Sequence, residues 1–393
     1  MTSRPVLIAG AGIGGLTAAL ALAQRGFAVA VFDQAERLEE IGAGIQLSPN
    51  ASRILIALGL DERLQRHVVA PEELRIMSAQ GAQMLARAPL GASAGQRYGA
   101  PYWVIHRGDL QAALLAAVAG QPAITLHLGT RIDDFAQDGA LICARSADRR
   151  EHRGIALIAA DGLWSRLRGR LGHGDAPRFA GQVAWRALAP ADTVAADLRA
   201  PAVNLWFDTD AHLVHYPVRG GSLINVVAIA RSDWREPGWS APANRDEVLA
   251  RYPAATWPPA VRALLAAPQR WQKWALYDRS PLAAWGRGAA TLLGDAAHPM
   301  LPYLAQGAAM AIEDAAVLAQ CLALRRNNPA GALRAYERER CARSARAQRA
   351  AHRNGAVYHL GKPGALLRQL ALRAMGGERL LSNYDWLYGW TPA

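Results

Sequence analysis

The chain of 393 residues is 51% hydrophobic and 19% charged, which excludes a disordered or fibrous protein. It is longer than one hydrophobic core usually supports, so two interleaved domains are expected. The formal charge of +12 comes from arginines spread along the whole chain; a nucleic-acid partner needs them clustered and is not expected.

Residues 6–10, VLIAG, read as a buried strand, 15–26 as a helix closed by Gly26, and 28–33, AVAVFD, as a second strand. Between the first two stands Gly10-Ala11-Gly12-Ile13-Gly14-Gly15. Gly10 permits the tight turn, Gly12 lets backbone approach a pyrophosphate, and Gly15 lets the helix pack on the strand. Asp33 ends the second strand, where a carboxylate accepts hydrogen bonds from a ribose. Strand, glycine turn, helix, strand and acid together specify a dinucleotide site, without saying which dinucleotide. The stretch is apolar enough to imitate a signal peptide or a membrane span. Its glycines break it into strand-length and helix-length pieces, so neither is expected.

Residues 42–51, GAGIQLSPNA, form a Gly-rich loop in which backbone around Gly44 is expected to come close to the bound cofactor. Arg107 stands just before a helix in IHRGDLQAALLAAV (105–118), where a plain surface charge is the simpler reading. In ALIAADGLWSRLRGRLG (156–172) a buried strand runs into Asp161-Gly162, with Ser165 and Arg168 following. Residues 203–230 read as three strands turning at 208–211 and at Gly220-Gly221, a curved sheet able to roof a pocket. Alternation puts His215 with Leu213 and Pro217 on one face of the middle strand, and His212 with Tyr216 on the other. Which face lines a pocket is not legible from alternation.

GDAAHPMLPYLAQGAAMAIEDA (294–315) follows the apolar run AATLLG. It places Asp295 at a strand end, turns at His298-Pro299, and starts a helix near Gly307 with small residues, Ala305, Gly307, Ala308 and Ala309. Such small residues let a neighbour lie close against the helix start, and tight helix packing is one source of them. The Arg-rich, Ala-rich run 334–353, interrupted by Glu337 and Glu339, reads as a solvated helix face. The tail ends in NYDWLYGWTPA, whose Trp386, Tyr388 and Trp390 are expected to anchor in the core. Cys143, Cys321 and Cys341 form no CxxC pair or disulfide framework. No metal is expected, and a reducing, cytoplasmic compartment fits. HExxH and GxSxG are absent.

Three motifs occur in order: Gly10 to Gly15, the D-G-x-x-S-x-x-R run Asp161 to Arg168, and Gly294-Asp295. Together they resemble, over the whole chain, the single-component aromatic hydroxylases among the flavin monooxygenases, which have the p-hydroxybenzoate hydroxylase fold. The resemblance implies an α/β fold: a Rossmann-like FAD-binding domain of glutathione-reductase type, an inserted mixed β-sheet substrate domain, and C-terminal helices. On motif placement the FAD domain would comprise 1–75, 99–175 and 280–330, the substrate domain 76–98 and 176–279, and the helical tail 331–393.

The resemblance further implies FAD as cofactor, NADH or NADPH as a transient co-substrate, O2 as oxidant, and ring hydroxylation through a flavin C4a-hydroperoxide. No second GxGxxG is present for the nicotinamide nucleotide. By resemblance Asp295 would hold the ribityl hydroxyls, and Pro299 would turn the chain past the isoalloxazine. Gly307 and Ala308 would flank the ring, Arg107 would sit over the pyrophosphate and flavin, and Asp161 near the pyrophosphate and nicotinamide. The 3-hydroxybenzoate 6-hydroxylases carry a similar VHYP strand and YLAQGA turn, and use the His and Gln at the substrate hydroxyl. These map to His215 and Gln306, with Tyr216 and Tyr303 as further pocket residues; a core-satisfied histidine is the alternative for His215.

Salicylate hydroxylases and 6-hydroxynicotinate monooxygenases share much of the pattern, so the small aromatic substrate, expected to be a hydroxylated carboxylate, stays open among them. Arg186 and Arg219 are the candidates for its carboxylate, and both also suit structural roles. The W-x-W-x-I-P hallmark of flavin halogenases is absent, while a non-catalytic FAD- and ligand-binding flavoprotein remains the alternative outside catalysis. The expected assembly is a monomer or homodimer.

Overall fold

The computed structural model describes residues 4–38, 43–139, 141–236, 238 and 240–392; Gly42, at the head of the Gly-rich loop, lies outside them. The nucleotide half is a parallel sheet of five strands in the order Ala290–Leu292, Ala156–Ala159, Val6–Ala9, Val29–Phe32 and Ile124–His127. The three central strands, Ala156–Ala159, Val6–Ala9 and Val29–Phe32, read as unbroken apolar runs because helices cover the sheet. The first βαβ turn forms where its sequence demands. Gly10 has φ +109°, and a Cβ there would lie 2.2 Å from the Ala160 carbonyl oxygen. One on Gly15 would lie 1.9 Å from the Gly10 carbonyl oxygen.

The apolar helix Gly307–Leu324 runs through this core against Ile13–Gln24. A Cβ on Gly14 would come within 3.1 Å of the Ala311 Cβ. Tight helix packing therefore accounts for part of the small residues at that helix start. Ala309 is buried in the core, whereas Ala305, Gly307 and Ala308 border a cavity.

The second unit is an eight-stranded mixed sheet. Its order is Ala241–Ala243, Trp271–Asp278, Arg178–Pro190, Leu223–Arg231, Ala211–Val218, Ala202–Phe207, Glu73–Ser78 and Met84–Pro89. The three strands anticipated within 203–230 are its centre. Ala202–Phe207 pairs parallel with Glu73–Ser78, which ties the sheet to a much earlier stretch of chain. On one face Trp185, Leu213, Val226 and Ala228 pack with Trp257, Trp271 and the short helices Arg245–Arg251 and Pro259–Ala266. Burying each such side chain contributes roughly 1.5–3 kcal/mol. The intervening residues face the nucleotide half.

The Arg-rich run corrects the expectation of a solvated face. It lies in the helix Pro329–Tyr358, where Arg340 is fully buried. Its Nη1 stands 2.6 Å from Glu313 Oε2 and its Nε 2.7 Å from Asp314 Oδ1, both carboxylates being fully buried. Arg343 also pairs with Glu313, at 2.6 Å, and Trp390 stacks on Arg340 and Arg343 while Trp386 stacks on Arg346. The aromatic tail thus closes over a buried ion cluster, and only part of the positive charge faces solvent.

Candidate active site

A cavity of about 990 Å³ opens between the two units. At its nucleotide end lie Gly10, Gly12, Asp33, Arg107, Asp161, Asp295, Gly307 and Ala308. Gly12 differs from its neighbours in the turn, since a Cβ there meets no protein atom within 4 Å and would project into open space. Here glycine leaves room for something that is not protein, at the N-terminus of Ile13–Gln24, where backbone N–H groups and the helix dipole favour phosphate. Asp33 braces the same turn: its Oδ2 accepts from Ala11 N at 2.7 Å and its Oδ1 from Ala35 N at 2.8 Å. Gly15 and Pro299 do not line the cavity. Gly15 acts through helix–strand packing as its spacing suggested, whereas Pro299 is turned away, its carbonyl accepting from Gln348 Nε2 at 2.9 Å.

The three motifs are wired together. Asp161 caps the helix Arg166–Arg170, accepting from Ser165 Oγ at 2.6 Å and from Arg166 N at 3.0 Å. Burial raises its pKa against those hydrogen bonds. Arg168 of the same motif is fully buried and donates from Nη1 to the carbonyls of Ala296 and Ala297, both at 3.0 Å. It therefore holds the turn that carries Asp295. The Asp295 side chain sits between the walls of the cavity but is exposed to it, and no hydrogen bond to its carboxylate is seen among the described residues. Burial raises its pKa, while His298 and Arg107 pull it down. An acid exposed to the cavity beside a helix N-terminus suits a polyhydroxylated chain leading to a flat, electron-accepting ring. The residues present fit FAD on these grounds.

At the sheet end the lining residues are Arg186, His212, Val214, Tyr216, Val227, Ile229, Trp274 and Tyr303. The facing strand presents His212, Val214 and Tyr216; His215 is therefore on the wrong side, and its expected place at the substrate hydroxyl is corrected. It is buried against the Trp-rich core, its Nε2 accepting from Trp206 Nε1 at 3.1 Å, and burial lowers its pKa to about 3. The cavity histidine is His212, whose Nδ1 lies 2.9 Å from His359 Nε2.

Gln306 does border the cavity, but its carboxamide is turned inward. Nε2 donates to Ser48 Oγ at 2.8 Å and Oε1 accepts from Asn50 Nδ2 at 3.1 Å. Asn50 in turn donates to Glu313 at 2.6 Å, linking this loop to the Arg340 cluster. Tyr303 has a buried hydroxyl with no hydrogen-bond partner among the described residues, 5.4 Å separating its ring centroid from that of His212. Gly44 lines the cavity too, but what approaches it is the sheet. Its N donates to Asn225 Oδ1 at 2.6 Å, and a Cβ would meet Tyr216 and Asn225 at 2.6 Å.

Of the two carboxylate candidates, Arg219 is bound to Asp109 at 2.8 Å outside the cavity lining. Arg186 faces the cavity with its guanidinium 5.1 Å from the Trp274 ring centroid. Gln46, whose Oε1 accepts from Tyr102 OH at 2.6 Å, is a further polar wall residue that motif reading passed over. Its position in the Gly-rich loop was the available signal.

A family model described as "FAD binding domain" matches residues 3–351. The chain belongs to that family. It is 39% identical over 386 residues to the 3-hydroxybenzoate 6-hydroxylase of Polaromonas naphthalenivorans, covering 98% of this chain and 96% of that one. It is 36% identical over 358 residues to the 6-hydroxynicotinate 3-monooxygenase of Bordetella bronchiseptica, covering 90% and 92%. The solved structure of Klebsiella pneumoniae HpxO complexed with FAD and uric acid superposes with a TM-score of 0.85 at 27% identity, covering 98% and 96%. The enzyme is an FAD-dependent, NAD(P)H-using aromatic-ring monooxygenase with the fold its three motifs implied. Asp295→Ala is expected to weaken FAD binding about tenfold to a hundredfold, the loss of one charged hydrogen-bonding group. Titration of the apoprotein by flavin fluorescence measures it, and an unchanged affinity would remove Asp295 from the cofactor site.

Proposed function

We propose that the enzyme hydroxylates a small phenolic aromatic carboxylate of the 3-hydroxybenzoate or salicylate kind. The observation that carries this reading is the arrangement of the sheet end of the cavity. Among the described residues five arginines line the cavity; Arg37, Arg107, Arg131 and Arg166 belong to the nucleotide half, and of the five Arg186 stands on the sheet. With Trp274 beneath it, Arg186 offers a cation for a carboxylate and an aromatic face for a ring. His212 and Tyr303 provide the polar groups for a ring hydroxyl, and Val214, Val227 and Ile229 supply apolar walls that exclude water.

In this reading bound FAD supplies hydride acceptance from NAD(P)H and activation of O2. The protein's own part is to orient the ring and to remove the phenol proton, because a phenolate is the more electron-rich nucleophile. Arg186 anchors the carboxylate, and His212 is within a hydrogen-bonded chain able to take the proton. Asp295, Arg107 and the helix starts at Ile13 and Gly307 hold the cofactor. Gln306 positions the loop between Tyr303 and Gly307 through Ser48 and Asn50. The 6-hydroxynicotinate relative supports a second reading, a hydroxylated heteroaromatic acid in the same pocket. Free Cys143, Cys321 and Cys341 suit the cytoplasm.

The test is NADH and NADPH oxidation by the FAD-loaded enzyme with 3-hydroxybenzoate, salicylate and 6-hydroxynicotinate, with products identified by mass and position. Arg186→Gln is expected to raise KM for the effective acid about tenfold to a hundredfold. It should leave the ring phenol lacking a carboxylate unaffected. An unchanged KM for the acid in Arg186→Gln would sink the anchoring role.

A further inference from the structure

We propose that Asp109 and Arg219 are positioning residues, a clamp that fixes Arg107 against the cofactor and in register with the strand that walls the aromatic pocket. This deepens the proposed role of Arg107 in holding FAD and rests on it. Arg107 lines the cavity at the nucleotide end and opens the helix Arg107–Ala119, with Asp109 in its first turn. Tyr216 lines the cavity at the sheet end, on the strand Ala211–Val218, and Arg219 follows where that strand turns. The Arg219 guanidinium grips both oxygens of Asp109, Nε donating to Oδ2 at 2.9 Å and Nη2 to Oδ1 at 2.8 Å. Nη2 also lies 3.4 Å from Nδ1 of His106, the residue before Arg107. A planar fork held at both prongs fixes orientation as well as distance.

A second tie crosses the same seam. The strands Gly44–Leu47 and Trp103–His106 pair as a ribbon, with Gly44 opposite His106. Arg107 N donates to Ala43 O at 2.8 Å, and Gly44 N donates to Asn225 Oδ1 at 2.6 Å. Asn225 stands opposite Tyr216 on the next strand, and Tyr216 packs where a Cβ on Gly44 would be. Arg107 is therefore joined to the pocket strand by its own backbone, through Ala43 and Gly44, and by its helix, through Asp109.

Stability does not account for the clamp. Arg219 is nearly half exposed, and exposed ion pairs contribute little to folding. Its backbone is left-handed at φ +51°, although Gly220 and Gly221, which adopt such a conformation freely, stand beside it. A strained residue persists where its surroundings over-determine it, and such positions cluster at functional sites. Burial would raise the Asp109 carboxyl; Arg219, with His106 and His67, outweighs it and holds it below the usual carboxylate range. The pair is ionic at neutral pH. A shift of Arg107 by about 1 Å is enough to misplace the flavin against a ring bound beside Tyr216.

The experiment is a double-mutant cycle on FAD affinity, read by flavin fluorescence as the apoprotein is titrated. Arg107→Ala is expected to weaken binding about tenfold, and Arg219→Gln about threefold to tenfold. Because the clamp acts through Arg107, the double variant is expected to bind no more weakly than Arg107→Ala alone. Asp109→Asn breaks the pair from the other side and is expected to match Arg219→Gln. Losses that multiply in the double variant mean a general structural role and overturn the clamp, as does wild-type affinity in Arg219→Gln or Asp109→Asn. Wild-type affinity in Arg107→Ala overturns the clamp together with the holding role of Arg107. The second readout is hydroxylated product formed per NAD(P)H by the FAD-loaded enzyme with the effective acid. Coupled turnover converts NAD(P)H, a proton, O2 and the ring to NAD(P)+, water and the hydroxylated ring; uncoupled turnover leaves the ring and gives H2O2. Arg219→Gln is expected to lower the yield at least about twofold, and an unchanged yield overturns the tie to the pocket strand. Wild type that hydroxylates none of the acids counts against the substrate reading alone, and the affinity cycle still judges the clamp.

Discussion

His212→Gln is expected to lower kcat about a hundredfold to ten-thousandfold while FAD binding stays at the wild-type level, the usual range for loss of a group that handles a proton in the rate-determining step. The carboxamide keeps the volume and polarity of the cavity wall but cannot accept and pass a proton at two nitrogens. The deficit should shrink as pH rises toward the pKa of the free phenol, because the ligand then arrives already ionised. His215→Gln is the companion measurement. His215 accepts from Trp206 inside the core, so its replacement is expected to lower thermal stability and leave the pH profile of kcat in place. If the two variants exchange these phenotypes, the assignment of the pocket face is wrong.

Arg340→Leu is expected to destabilise the fold by about 3–5 kcal/mol, the cost of leaving buried carboxylates without their cation. In the wild type, burial alone would raise the Asp314 carboxyl; His298 and Arg340 outweigh it and hold the pKa below the usual value. A lowered acid contributes stability that is present above its unfolded pKa and is lost as pH falls through the folded one. Without Arg340 the balance at Asp314 tips toward burial and its carboxyl rises. A raised acid contributes stability at low pH that is lost as pH increases. The variant's deficit in chemical denaturation is therefore expected to be larger at about pH 8 than at about pH 5. A deficit independent of pH would mean that Arg343 and His298 neutralise the pair without help. Because Glu313 also binds Asn50, and Asn50 binds Gln306, the same variant should loosen the loop beside the cofactor site.

The amino-acid sequence by itself determined the nucleotide half. Gly10, Gly12, Gly15, Asp33, Asp161 and Asp295 act within a few residues of strand ends. Their chemistry is set by local backbone: a turn that admits no Cβ, a helix start with open N–H groups, an acid where a parallel strand stops. Such constraints are written in consecutive residues, and the order of three motifs along the chain was enough to imply FAD and the fold that carries it.

What only the tertiary structure decided lies in the substrate half. Alternation separated His212 and Tyr216 from His215, yet both faces of that strand are buried, so apolarity could not tell pocket from core. The decision came from the helices Arg245–Arg251 and Pro259–Ala266, which cover the His215 face and leave His212 to the cavity. The partners of His212 are 147 residues away at His359 and, beyond it, at Gln182; no spacing rule connects them. The Arg-rich helix misled for a similar reason. A guanidinium bound for solvent and one bound for two buried carboxylates are the same letter, and Arg340 is buried because Glu313 and Asp314 meet it from another helix. Local conformation is a property of neighbours in sequence, whereas burial and charge pairing depend on segments that meet only when the chain has folded.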